Sequence, residues 1–144
     1  MNDQARRPTI LLIEDSDDDA FFFRWTLEKS GFHCDFERVA NGPNAIEYLD
    51  RARQSGRIPD AVFLDLKMPG MSGFEVLEWA RSEKFDPPLN ILVLSGSDQD
   101  ADVRQARALG VEHYLVKPIS SVQFQELLGG LRGPTINNSQ KPTK

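Results

Sequence analysis

Glu14-Asp15, Asp65, Ser95 and Lys117 are the residues whose types could do chemistry together in this chain. Carboxylates are the natural ligands of a hard divalent cation, and Mg²⁺ typically keeps several waters beside one or two carboxylates and a phosphate. Packed carboxylates repel one another, and a cation relieves that repulsion. An ammonium can neutralise a phosphoryl oxygen, and a hydroxyl can donate a hydrogen bond to one. Brought together, these groups would form a cation-and-phosphate site.

Each of them stands where an apolar run stops. Ile10-Leu11-Leu12-Ile13 runs into Glu14-Asp15, and Ala61-Val62-Phe63-Leu64 runs into Asp65. Ile91-Leu92-Val93-Leu94 stops at Ser95, and Tyr114-Leu115-Val116 stops at Lys117. Short, β-branched-rich runs without alternation read as strands buried on both faces, the mark of a parallel sheet. Parallel strands share one C-terminal edge, and ligands of open α/β sheets bind there. The sheet would therefore assemble the site from residues far apart in sequence.

Amphipathic segments separate the runs. The pattern predicts strands over Thr9–Glu14, Cys34–Ala40, Ala61–Asp65, Asn90–Ser95 and Glu112–Val116. Helices are expected over about Asp17–Ser30, Pro43–Gln54, Gly73–Glu83, Gln99–Leu109 and Ser120–Leu131. Five βα units imply a doubly wound α/β domain whose right-handed crossovers cover both sheet faces. Gly31, Gly42, Gly56 and Gly110 fall at element ends, and Pro59, Pro69, Pro87-Pro88 and Pro118 fall between elements. Residues 1–8 read as an N-terminal extension, 9–131 as the domain and 132–144 as a tail whose composition predicts disorder. On this reading the sequence is expected to hold a single domain.

Composition narrows the function classes. The formal net charge of -5 argues against general nucleic-acid binding, which usually shows as a basic patch. Cys34 is the single cysteine, so no internal disulfide forms, and the segment before the first strand lacks secretory-signal character. The apolar runs are far too short to span a membrane. A cytoplasmic protein is the simplest expectation. Neither GxxxxGK[ST] nor GxGxxG occurs, which removes the main support for P-loop and dinucleotide readings.

Other residues read more blandly. Asp17, Asp18 and Asp19 fall in the first turn of a helix, where the macrodipole favours negative charge, and are assigned there rather than to ligation. His33 and His113 lie outside the strand-end cluster and are read as surface or packing residues. Cys34 is read as a small buried hydrophobe, and Gly96 as a residue that keeps the cleft mouth open. On the first helix, Phe22, Phe23, Thr26 and Leu27 share a face suited to the core. Phe21 and Trp25 project away from Phe23. They either pack on the last helix or a loop, or form a docking patch for a kinase; full burial of Trp25 would exclude the patch.

The strand-end residues and their flanks resemble a known family. Leu12-Ile13-Glu14-Asp15-Ser16, Phe63 to Gly73 (FLDLKMPGMSG), Leu94-Ser95-Gly96 and Tyr114-Leu115-Val116-Lys117-Pro118 are similar, in order and spacing, to the motifs of response-regulator receiver domains. These are the phosphoacceptors of bacterial two-component signalling. The resemblance covers about residues 9 to 131. It implies a flavodoxin-like doubly wound five-stranded parallel sheet of order 2-1-3-4-5 with five helices.

By the same resemblance, Asp65 would attack a phosphohistidine of a sensor histidine kinase or phosphotransfer protein and become an acyl phosphate. Mg²⁺ would be held by Asp15, Asp65 and the backbone carbonyl of Lys67, with Glu14 acting directly or through water. Lys117 would pair with the phosphoryl group. Ser95 would move to hydrogen-bond it, and Tyr114 would follow inward as the switch. The Lys117-Pro118 bond resembles one that is cis in the family. Lys67 and Ser97, two positions after Asp65 and Ser95, correspond to positions that guide or exclude the attacking water.

The resemblance implies a phosphoacceptor rather than a catalytic enzyme. The expected lack of an output domain, a departure from the commonest family pattern, favours a stand-alone, single-domain regulator, shuttle or adaptor signalling to a downstream protein through its surface. The changed face would include the Gln99–Leu109 helix, the Glu112–Val116 strand and the Ser120–Leu131 helix. A homodimer is left open, because isologous contacts leave no simple sequence mark. Two rivals differ in class. A pseudo-receiver would use the same fold as an interaction adaptor without phosphorylation, against which the joint presence of Asp15, Asp65 and Lys117 speaks. A phosphohydrolase with an aspartyl-phosphate intermediate would carry a paired DxD, and Asp65-Leu66-Lys67 lacks the second acid.

Overall fold

A computed structural model describes residues 7–96 and 100–131. Within them the chain alternates β1 (Thr9–Ile13), α1 (Asp17–Lys29), β2 (Asp35–Val39), α2 (Gly42–Ser55), β3 (Ala61–Asp65), α3 (Gly73–Glu83), β4 (Ile91–Ser95), α4 (Asp100–Ala108), β5 (His113–Val116) and α5 (Ser121–Leu128). A short 3₁₀ turn over Gly129–Leu131 replaces the last turn expected of α5. The first residue of the expected fourth helix, Gln99, and the predicted disordered tail lie outside the described residues, as does Ser97.

The strands form one parallel sheet of order β2-β1-β3-β4-β5, as expected. Central strands β3 and β4 are buried along their whole length, while edge strand β2 alternates between exposed and half-buried positions. That difference is why the β2 signal is the weakest of the five in the sequence.

Side chains alternate across the sheet because strand residues point to opposite faces. Leu11, Ile13, Val62, Leu64 and Val93 pack against Ala45 and Leu49 of α2, Val76, Leu77 and Ala80 of α3, and Ala106 of α4. Ile10, Leu12, Phe63, Leu92 and Leu94 face Ala20, Phe23 and Leu27 of α1 and Phe124 and Leu128 of α5. On this second face Phe23 sits edge-on to Phe63 and Phe124, with ring centroids 5.0 Å away in each case. Each fully buried Leu, Ile, Val or Phe contributes about 1.5–3 kcal/mol relative to exposure, so the two layers hold the sheet edge in place.

Helix starts are fixed locally. Ser16, Asn41, Ser72 and Ser120 each accept a backbone N–H of the following first turn, and Ser72 and Ser120 complete capping boxes with Glu75 and Gln123. The expected turn glycines Gly31, Gly56 and Gly110 have positive φ. Gly42 does not. It opens α2 against Met71, where a Cβ would stand 2.7 Å from the methionine Cγ and Sδ, so its reason is close packing rather than conformation.

Candidate phosphoacceptor site

The C-terminal ends of β1 and β3 bring three carboxylates together. Ligand oxygens of Glu14, Asp15 and Asp65 all lie within 4.8 Å of one another. Glu14 and Asp65 are 2% and 3% exposed, so two of the three are deeply buried. The sheet ladder reaches past β1, because the Glu14 amide still donates to the Val39 carbonyl at 3.0 Å. The Ser16 amide donates to Glu14 Oε2 at 3.1 Å, and the Lys67 amide to Asp65 Oδ1 at 3.3 Å.

Asp65 is placed by its neighbours as well as its strand. Leu66 and Met68 are buried beneath the loop that follows it. Gly73, the first residue of α3, donates its amide to the Leu66 carbonyl at 3.0 Å. A Cβ there would stand 2.6 Å from Leu66 Cα and collide with the Asp65 carbonyl, so only glycine lets α3 start this close to the acid.

Lys117 closes the cluster from the end of β5. Its Nζ lies 2.8 Å from Glu14 Oε1, 2.8 Å from Asp19 Oδ2 and 3.5 Å from Asp65 Oδ2. Its bond to Pro118 is cis, as the resemblance implied. Ser95 ends β4 wholly buried, and its carbonyl accepts the Lys117 amide at 2.8 Å. Tyr114 is half-buried against the core on the α2–α4 side of the sheet. At Gly96 an added Cβ would meet open space, in keeping with an open cleft mouth.

The electrostatics follow from burial. Desolvation pushes the Glu14 carboxyl up to about 7, helped by the Asp65 charge and opposed by hydrogen bonds from Lys117 and Ser16. Burial works against the Lys117 ammonium, but hydrogen bonds to Asp19 and Glu14 and the charges of Asp65 and Glu14 outweigh it and hold it above the ordinary lysine range. Clustered hard oxygen donors with one carboxyl pushed toward neutrality fit a Mg²⁺ ion, whose charge would relieve the strain.

Several neighbours were not legible in sequence. Asp19 sits in the first turn of α1, as expected, but its carboxylate also reaches Lys117. Arg38 on β2 donates Nε to the Glu14 carbonyl at 2.9 Å and pairs with Asp17 at 2.8 Å, bracing the β1–α1 turn. The Lys67 side chain is engaged by Asp102 of α4, with Nζ 3.3 Å from Oδ2.

Two expectations need correction. Phe22 is not in the core; it is exposed, stacks on Trp25 at 6.0 Å between ring centroids, and lines a small cavity of about 50 Å³ with Glu14, Asp19 and Lys117. Cys34 is half-buried rather than buried, and desolvation raises its thiol above the usual range. His33 and His113 are exposed, away from the cluster. Phe21 and Trp25 are 71% and 47% exposed, and Lys29 Nζ lies 4.6 Å from the Trp25 ring centre.

The family model described as the response regulator receiver domain matches residues 10–129. The chain is 35% identical over 119 residues to the probable methanogenesis regulatory protein FilR2 of Methanothrix harundinacea, covering 82% of this chain and 75% of that one. It is 29% identical over 125 residues to the polar-differentiation response regulator DivK of Brucella anthropi, covering 87% and 96%. Among solved structures, a two-component response regulator from Cytophaga hutchinsonii superposes with a TM-score of 0.78 at 25% identity, over 88% of this chain and 97% of that one.

Proposed function

Because this chain belongs to the response regulator receiver domain family, we propose that it accepts a phosphoryl group on Asp65 from a histidine kinase or phosphotransfer protein, in a Mg²⁺-dependent reaction, and signals by a change of surface. The observation that carries this reading is the joint burial of Asp65 and Glu14 beside Lys117, with Asp65 Oδ2 3.5 Å from the ammonium.

In the transfer, an Asp65 carboxylate oxygen forms the new O–P bond as the N–P bond of the donor's phosphohistidine breaks, leaving a neutral imidazole. Asp15, Asp65, Glu14 and the Lys67 carbonyl would hold Mg²⁺, which when bound neutralises charge on the phosphoryl oxygens. Lys117 is already anchored near Asp65 and supplies a second positive charge to the same oxygens. The Lys67 amide orients the carboxylate through Oδ1.

The acyl phosphate adds nearly two negative charges to a small cleft. Ser95 and Lys117 are drawn to it, Tyr114 turns inward, and the balance between two surface conformations over α4, β5 and α5 shifts toward a downstream protein. The phosphodonor protein docks on the exposed Phe21, Phe22 and Trp25 of α1. Two observations support this: all three rings are exposed, and Phe22 lines a cavity with Lys117 and Glu14. No described helix is long and apolar enough to cross a membrane, and we assign the protein to the cytoplasm.

The test is incubation with a small acyl-phosphate donor with and without Mg²⁺, read on a phosphate-affinity gel beside Asp65→Asn. A Mg²⁺-dependent shift lost in the variant is expected. No shift in folded wild-type protein would instead favour the non-phosphorylated adaptor.

A further inference from the structure

Edge strand β2 places Arg38 opposite Leu12, on the sheet face where Phe36 packs with the apolar layer of α1 and α5. A guanidinium is costly there. Its side chain is only 24% exposed, and Nη2 is buried with no hydrogen-bond partner among the described residues. The ion pair with Asp17 does little to offset that cost, because Asp17 is 92% exposed and pairs open to water are worth little. The directed contact is the other one, from Nε to the Glu14 carbonyl at 2.9 Å. That carbonyl belongs to the peptide unit that leads into Asp15. The Glu14 amide donates to the Val39 carbonyl at 3.0 Å, so both backbone groups of Glu14 face β2. A peptide unit is planar and trans, so the Asp15 amide points the opposite way. Because β1 lies between β2 and β3, the chain at Asp15 is turned toward the strand that ends in Asp65. Asp15 itself sits in the turn between β1 and α1, with no regular element to hold it. Its carboxylate nevertheless lies within 4.8 Å of those of Glu14 and Asp65.

We propose that Arg38 is a positioning residue for Mg²⁺ binding: by fixing the Glu14–Asp15 peptide, it holds the Asp15 carboxylate beside Asp65 before the ion arrives. The inference rests on the Mg²⁺ reading of the acidic cluster. Binding to a turn left loose must also order that turn, and the loss of freedom weakens the site. Outer partners that orient ligands raise metal affinity for this reason. The charge of Arg38 acts in the opposite sense. A cation close to the cluster repels Mg²⁺, so removing the charge alone tightens binding. Loss of the brace and loss of the charge therefore move the affinity in opposite directions.

Two neutral substitutions isolate the contact. In Arg38→Gln the amide nitrogen stands as many bonds from the backbone as the arginine Nε and can donate to the same carbonyl, whereas Arg38→Met fills similar space without a donor. Mg²⁺ alone is titrated into the full-length wild type and both variants, followed by calorimetry and by the Lys67 amide signal in NMR. Arg38→Met is expected to weaken Mg²⁺ binding about tenfold, and Arg38→Gln to bind at wild-type affinity or tighter. A merely structural role for the charged side chain would not separate the two. Equal affinities in Arg38→Met and Arg38→Gln overturn the proposal, as does tighter binding in Arg38→Met, which would leave the charge as the only effect. Should Arg38→Met not fold, the measurement passes to the wild type, where a scalar coupling from Arg38 Nε to the Glu14 carbonyl carbon reports the brace. It should be present in the metal-free protein and persist at saturating Mg²⁺; its absence from the first, or its loss in the second, overturns the proposal. If the wild type binds no Mg²⁺, the metal reading of Glu14, Asp15 and Asp65 fails and this inference falls with it. Normal Mg²⁺ binding with no difference between the two variants defeats this inference alone.

Discussion

The Lys117 ammonium lies 2.8 Å from Glu14 Oε1, a contact made across 103 positions of the chain. It joins the end of β5 to the end of β1 across the ends of β3 and β4, so the lysine is positioned before any phosphoryl group arrives. Lys117 to Met should leave the fold in place but strip the site of its fixed cation. We expect uptake from a small acyl-phosphate donor to fall at least tenfold, on the order of 1.4 kcal/mol of transition-state stabilisation, measured as the initial rate at saturating Mg²⁺.

The burial of Glu14 fixes a pH dependence, against the pull of its contact with Lys117. Burial raises the folded Glu14 carboxyl from 4.5 to about 7. A carboxyl raised in the folded state binds its proton more tightly there than in the unfolded chain. Its contribution therefore favours the metal-free fold at acid pH and is lost as pH rises from about 4.5 through about 7. Mg²⁺ needs the ionised form, so its affinity should rise across the upper part of that window. Titration of Mg²⁺ by intrinsic fluorescence between mildly acid and mildly alkaline pH should show this rise, and Glu14→Gln should flatten it.

Gly73 predicts a local failure. An added methyl must displace the Asp65–Leu66 backbone, which lies within 2.9 Å of it. Gly73→Ala should cost about 1–3 kcal/mol by the usual penalty for overpacking and slow phosphorylation beyond that loss. Urea unfolding gives the first quantity and acyl-phosphate uptake in the folded range gives the second.

Helix α1 predicts a division of labour between adjacent aromatics. Phe23 is buried against Phe63 and Phe124, and Phe23→Ala should cost about 3–5 kcal/mol. Phe21 and Trp25 are exposed, and their alanine variants should change stability by no more than about 0.5 kcal/mol. If the donor protein docks there, those variants slow transfer from a phosphorylated histidine kinase while leaving uptake from small donors unchanged. Wild-type rates from both donors in these variants would place docking elsewhere.

The sheet and the site's acids were legible because both follow from local pattern. An unbroken apolar run such as Ala61–Leu64 fits a strand buried on both faces, and a polar residue that ends it must sit at the sheet edge. Phe22 was misassigned for a geometric reason. Consecutive helix residues are about 100° apart, and the buried positions Ala20, Phe23, Thr26 and Leu27 leave Phe22 at the border of their stripe. Being aromatic did not decide which side of that border it took.

Asp19, Arg38 and Asp102 were missed for another reason. Each is an ordinary charge in its own element and gains a role from a partner that folding alone supplies. The strand pairing of Leu12 with Arg38 brings that guanidinium beside Glu14, and nothing in the DFERV segment announces it. Lys67 and Asp102 meet because α4 packs next to the loop after β3.

The central claim is tested most directly by locating the phosphoryl group itself. Protein treated with a small acyl-phosphate donor and Mg²⁺ is reduced with borohydride, which converts an aspartyl phosphate to homoserine, and digested for peptide mass spectrometry. The account predicts that the conversion falls on Asp65 alone, requires Mg²⁺ and disappears on chelation. Conversion at Asp15, or an unmodified Asp65 in folded protein under these conditions, would contradict it.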